Sequence, residues 1–176
     1  MFRTASLSTK LIRIGASLLV VALASISLTL WVTWQLEGGA AAVNEAGRMR
    51  MQTWRLASAV QTSLSPASLG SLVSQFDDSL KLLRTGDPSR PLFVPWDDDV
   101  DVKFAEVDRI WAQRRGQWLA PAPMSATESV MAAEEFVTAI DALVLSIEQQ
   151  LSRLTAILNL FQFVMMALAI IGAVVM

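Results

Sequence analysis

The sequence predicts an all-α chain: a membrane-anchored antiparallel four-helix bundle with two transmembrane helices. Three observations carry this. Two stretches of 23 residues, 14–36 and 154–176, hold no charged residue. Between them the apolar positions recur at spacings of three and four, the helical period. Clusters of Pro and Gly cut that middle segment into four pieces.

Each uncharged stretch exceeds the roughly 20 residues a helix needs to cross the hydrocarbon. Trp31 and Trp34 stand at the far end of the first, where amphipathic rings favour the interface. Ala40, Ala41 and Ala42 offer a small-residue cleavage pattern, but the apolar run is longer than the about 7–15 residues of a signal peptide. The expectation is therefore a retained span. Arg3, Lys10 and Arg13 precede it with no acid among them, which favours a cytoplasmic N-terminus. The expected layout is residues 1–13 in the cytoplasm, 14–36 and 154–176 in lipid, and 37–153 exported.

All 16 acidic residues lie in the exported segment, against 11 of the 14 basic ones, a formal net charge of −5. An acidic domain argues against nucleic acid as a partner. With no Cys and no His, thiolate chemistry, disulfides and the usual zinc sites are excluded. Neither a cofactor nor a metal ion is expected. Asp97, Asp98, Asp99 and Asp101 could offer oxygens to a divalent cation; acids ahead of a helix N-terminus are the better account.

The first helix is expected from about Glu37 to Leu64, continuing the span, with Val43, Ala46, Thr53, Ala57, Val60 and Leu64 inward. Pro66 ends it or opens the second, which covers about Ala67–Arg84 with Leu69, Leu72, Val73, Phe76, Leu80 and Leu83 on one face. An irregular link, Thr85–Asp101, follows. The third helix is expected over Val102–Trp118, with Phe104, Val107, Ile110 and Trp111 inward. Arg114 and Arg115 read as a solvated helix end. Pro121 and Pro123 mark the next turn. Ser125 and Glu128 have the spacing of a capping box. The fourth helix then carries Val130, Val137, Ile140, Val144, Ile147, Leu151 and Leu154 into the second span, where Asn159 and Gln162 can bond across helices. Helices one and four would then join the two spans, the layout of a receptor's sensor.

The segment Asn44-Glu45-Ala46-Gly47-Arg48-Met49-Arg50-Met51-Gln52-Thr53-Trp54-Arg55 is the most informative. Arg50 falls four after Ala46 and three before Thr53, on the apolar stripe, and a buried guanidinium needs an acceptor. Gly47, one turn earlier, admits a second backbone. Two readings stay open from periodicity alone. Arg50 bends to solvent or pairs with Asp141 or Glu148 on helix four, or two copies of Arg50 converge at a dimer axis around a small planar anion that fits the guanidinium fork.

This segment resembles the motif that opens the sensor domain of nitrate/nitrite sensor histidine kinases, also known as the type IV pili methyl-accepting chemotaxis protein N-terminal domain. Asn44, Ala46-Gly47, Arg50-Met51-Gln52 and Arg55 carry the resemblance. It implies that Arg50 binds nitrate or nitrite at a homodimer interface, with Gly47 beside it and Asn44, Ala46, Met51, Gln52 and Arg55 in support. It further implies a sensory module without catalytic residues, and a cytoplasmic output domain or partner beyond this chain. Alternatives are the sensor of a chemoreceptor or cyclase with another ligand, or a non-sensory membrane scaffold.

Overall fold

A computed structural model describes residues 7–62, 65–120 and 124–175. Arg3, Leu64, Pro121 and Pro123 lie outside the described residues. Four α-helices occupy the described ones: α1 (Leu7–Gln61), α2 (Pro66–Thr85), α3 (Asp98–Trp118) and α4 (Ala126–Val175). Strand pairing among these residues is confined to an isolated antiparallel bridge between Asp87 and Leu92. The all-α bundle with two long apolar helices is therefore the architecture. The chain divides into two compact units. One ends at Trp34 and resumes at Arg153; the other is Gln35–Ser152. Helices α1 and α4 contribute residues to both.

Local chemistry fixes the helix ends. The Ser65 hydroxyl accepts the Ser68 N–H at 3.3 Å, and Pro66 takes the first helical position, where its missing N–H costs nothing. At the other end of α2, Gly86 adopts φ +73 and donates its N–H to the Leu82 carbonyl at 2.8 Å. A Cβ there would stand 2.9 Å from the Leu92 carbonyl oxygen, so only glycine fits this cap. Helix α3 begins at Asp98, four residues before the expected Val102. The Asp97 carboxylate accepts the Val100 N–H at 2.9 Å, and Asp98, Asp99 and Asp101 fill the first turn. These acids are part of the helix, stabilised by its dipole, and not a loop ahead of it. The capping box at α4 forms as the spacing predicts: Glu128 Oε2 accepts the Ser125 N–H and hydroxyl, each at 2.8 Å, while Ser125 Oγ accepts the Glu128 N–H at 3.2 Å.

The centre of the Gln35–Ser152 unit is aromatic. Phe76 of α2 stacks on Trp111 of α3 with ring centroids 4.1 Å apart and meets Phe136 of α4 at 5.0 Å. Helix α1 closes this core with smaller side chains, Ala42, Ala46, Met49, Leu56 and Ala57, all buried. The inward faces expected for α2 and α3 are found, with Leu69 only partly buried. On α4 the buried line is Ala133, Phe136, Ile140, Leu143 and Ile147, whereas Val130 and Val137 are half-buried. Two glycines of α1 allow close approach: a Cβ on Gly38 would run into the Phe93 ring, and one on Gly39 would stand 2.6 Å from the Leu151 side chain.

Ion pairs decorate the outside. Arg114 reaches Glu135 at 2.6 Å and Arg115 reaches Asp77 at 2.8 Å, so these arginines tie α3 to α4 and α2 rather than ending a helix in solvent. Asp77 also accepts the Trp111 Nε1–H at 2.8 Å. Burial pushes the Asp77 carboxyl up, but its hydrogen bonds from Arg115 and Trp111, together with the Arg115 charge, outweigh that and hold it below the usual carboxylate range.

The other unit is different in kind. Leu18, Leu19, Leu30, Leu160, Phe163 and Ile170 are exposed, and windows of 18 residues in α1 and α4 reach mean hydropathies of 2.1 and 2.2. At about 25 cal/mol per Å², such continuous apolar surface is far too costly to hold in water. Lipid is the solvent that fits it.

Candidate functional site

On α1 the motif residues divide among three directions. Ala46, Met49, Thr53 and Leu56 form the buried line. Glu45 and Gln52, seven residues apart, are buried on the side of α2. Asn44, Arg48, Met51, Trp54 and Arg55 are exposed, and Gly47 is half-buried. The expected inward residues Ala46, Thr53, Ala57 and Val60 are buried and Val43 is half-buried, but between Ala46 and Thr53 it is Met49, not Arg50, that enters the core. Arg50 sits on the flank toward α4. Ala46 and Gln52 do not share its surface.

Arg50 Nη1 donates to Asp141 Oδ1 of α4 at 2.6 Å, with the two side chains 42% and 51% exposed. An ion pair this open contributes about 0–1 kcal/mol to stability. Its effect is directional: one nitrogen is held and the guanidinium is turned toward α4. The opposite nitrogen, Nη2, lies beside Gly47, where a Cβ would come within 3.5 Å of it. Glu148, the other acid considered as a partner, is not in contact with it among the described contacts. The arrangement leaves a guanidinium edge open beside a bare stretch of helix, which is a geometry suited to a small planar acceptor.

A second polar cluster was not legible from periodicity. Glu45 is 4% exposed and accepts from Arg48 Nη2 at 2.5 Å. The same nitrogen approaches Ser79 Oγ of α2 at 3.4 Å, and Ser79 in turn donates to Gln52 Oε1 at 3.4 Å. This seam of polar groups joins α1 to α2 inside an otherwise apolar contact. The available signal was the spacing Glu45–Gln52, two polar residues on one helical face.

Farther along α1, a groove of about 760 Å³ opens against α2. Met51, Trp54 and Arg55 line it from α1, with Ser68, Ser71 and Gln75 opposite. Of the motif residues, Met51 and Arg55 therefore line a groove that does not include Arg50. The acids Asp97, Asp98, Asp99 and Asp101 are taken up by the start of α3, and no group of three or more candidate ligands is placed to hold a metal ion among the described residues.

A helical bundle lies in the sequence between two apolar stretches, with a charged motif just beyond the first of them, and this is the layout of a helical membrane protein. The model of the PilJ family, the type IV pili methyl-accepting chemotaxis transducer N-terminal domain, matches residues 31–143, more than half of the chain. The chain belongs to that family and is a sensory N-terminal module of the chemotaxis-transducer type. Comparison with curated proteins gave no match.

Proposed function

We propose that this module senses a small planar oxyanion, nitrate or nitrite, as a homodimer in the bacterial inner membrane with residues 37–153 outside the cytoplasm. The observation that carries the reading is Arg50, oriented by Asp141 and left with an open edge beside Gly47. Two such edges brought together repel while empty and share one anion when filled. Binding would favour the closed dimer by the difference in affinity between the two arrangements. Because α1 and α4 contribute to both units, a shift of one against the other passes toward the membrane. The output would come from a methyl-accepting signalling region or a histidine kinase domain, in a longer chain or a separate partner.

The test is a thermal shift of purified protein in nitrate, nitrite, chloride and sulfate. At about a hundredfold excess over Kd the expected stabilisation is about 2.7 kcal/mol. Arg50→Ala is expected to lose the nitrate response with little change in basal stability, and Arg50→Lys to respond weakly, since it keeps the charge but not the fork. No shift beyond chloride in the wild type would reject nitrate and nitrite.

The groove favours a second reading, a larger organic anion. Arg55 carries the positive charge, and Trp54 and Met51 supply an apolar wall. A response to benzoate that Arg55→Ala removes and Arg50→Ala leaves would select it.

A further inference from the structure

Asn159 and Gln162 lie on α4 beyond Arg153, among residues that otherwise face lipid. Both are exposed in the chain, and neither makes a hydrogen bond to another described residue. At about 1.5 Å per residue they stand about 9 and 13 Å past Arg153. That depth places Gln162 near the middle of a hydrocarbon layer about 30 Å thick. The Thr29 hydroxyl in α1 does not face the same difficulty, since its Oγ1 donates back to the Ser25 carbonyl at 2.9 Å. A carboxamide is longer, carries two donors and an acceptor, and is costly to leave unbonded in hydrocarbon.

We infer that Asn159 and Gln162 form a carboxamide clamp that joins α4 to α4 of a second copy of this chain within the membrane. Self-association follows from the chemistry of the group. Each carboxamide both donates and accepts, so a two-fold axis through the pair satisfies both copies with the same side chains. The same face continues at helical spacing to Met166, four residues on, which is also exposed. Helix α1 of the same chain does not supply the partner, because both amides remain exposed in its presence. The inference rests on the membrane placement of α4 and is independent of the ligand.

The chain has no cysteine, so single substitutions report contacts cleanly. In native membranes, Met166→Cys is expected to form a disulfide-linked homodimer on oxidation. Leu168→Cys, equally exposed but on the opposite side of the helix, is expected to form little. Adding Asn159→Leu and Gln162→Leu should lower the Met166→Cys cross-link about threefold to tenfold, the range of interhelical polar contacts in lipid. Leucine preserves insertion, and Asn159→Gln should retain cross-linking because the carboxamide remains. Met51→Cys reports the exported contact separately. Equal cross-linking at residues 166 and 168, an unchanged yield in the double-leucine chain, or a Met166→Cys adduct to a different protein would each overturn the clamp.

Discussion

Arg50 and Asp141 meet through a single contact, Nη1 to Oδ1 at 2.6 Å, which binds α1 to α4 and leaves Nη2 beside Gly47. Asp141 thereby acts in two opposed ways on any anion at this guanidinium. It orients the fork, and its charge repels the ligand.

Asp141→Asn separates these effects. An asparagine oxygen still accepts from Nη1, so the orientation persists while the repulsion goes. In a largely solvated setting, one unit charge about 6 Å away is worth about 0.7 kcal/mol. Nitrate affinity in this variant should rise about threefold at low salt, and the gain should shrink as ionic strength increases. Titration calorimetry at two salt concentrations measures it. A fall in affinity would mean that the aspartate charge itself is needed to hold the site.

Dimerisation along α1 has to use the face that the fold leaves open. Ala46 is 0% exposed and packs in the core of its own bundle, so it does not meet a twin, although the resemblance implies that it supports Arg50 at the interface. Met51, 54% exposed, is on the outer face. Met51→Cys should therefore cross-link under oxidation while Ala46→Cys stays monomeric on a denaturing gel. The Ala46 variant should also lose about 1–3 kcal/mol of stability from overpacking.

The difference between Ala46 and Met51 shows how far the sequence could be read. Helix type and the inward faces of α2 and α3 were legible because strong apolar side chains mark every turn there. On α1 four of the buried residues are alanines, Ala42, Ala46, Ala57 and Ala59, and alanine marks a face weakly. Ala46, Thr53, Ala57 and Val60 are buried as the spacing predicts, but Met49, about 100° around the helix from Arg50, fills the core and leaves Arg50 on the flank. The early start of α3 was hidden for another reason: four acids in five residues look like solvated loop until the Asp97 side chain is seen capping Val100. The Glu45–Ser79–Gln52 seam depends on two helices at once, which no single-helix pattern contains.

The orientation of the chain in the membrane can be read at the link between α2 and α3. Ser89 lies in the link after Gly86 and is exposed. A phosphatase reporter that folds only outside the cytoplasm, fused at Ser89, should be active. Reversing the charges of Arg3, Lys10 and Arg13 should reduce that activity, since these residues favour retention of the N-terminus inside. An inactive fusion that is nonetheless made in full would reverse the topology and remove the exported site.

Asp77 gives the bundle a defined acid limit. It is the acceptor for Trp111 Nε1–H and a bidentate partner of Arg115, so a single carboxylate fastens α2 to α3 beside the aromatic core. Burial raises its carboxyl, but the bonds from Arg115 and Trp111 prevail and leave it lowered in the folded chain. A group depressed on folding contributes stability that is fully present above its unfolded value, about 3.9, and is lost as pH falls through the folded value. Asp77→Ala should cost about 1–3 kcal/mol at pH 7, mainly by leaving the Trp111 N–H unbonded, toward the lower end because the carboxylate is about one-third exposed. Asp77→Asn keeps an acceptor for Trp111 and loses only the charge, so its deficit should be smaller. Thermal unfolding followed from pH 7 to pH 3 checks the sign. The gap between wild type and Asp77→Asn should be constant down to about pH 5, then narrow as pH falls toward the lowered folded value. A gap that persists unchanged at pH 3 would show that the charge of Asp77 contributes nothing, and that its role is confined to shape and hydrogen bonding.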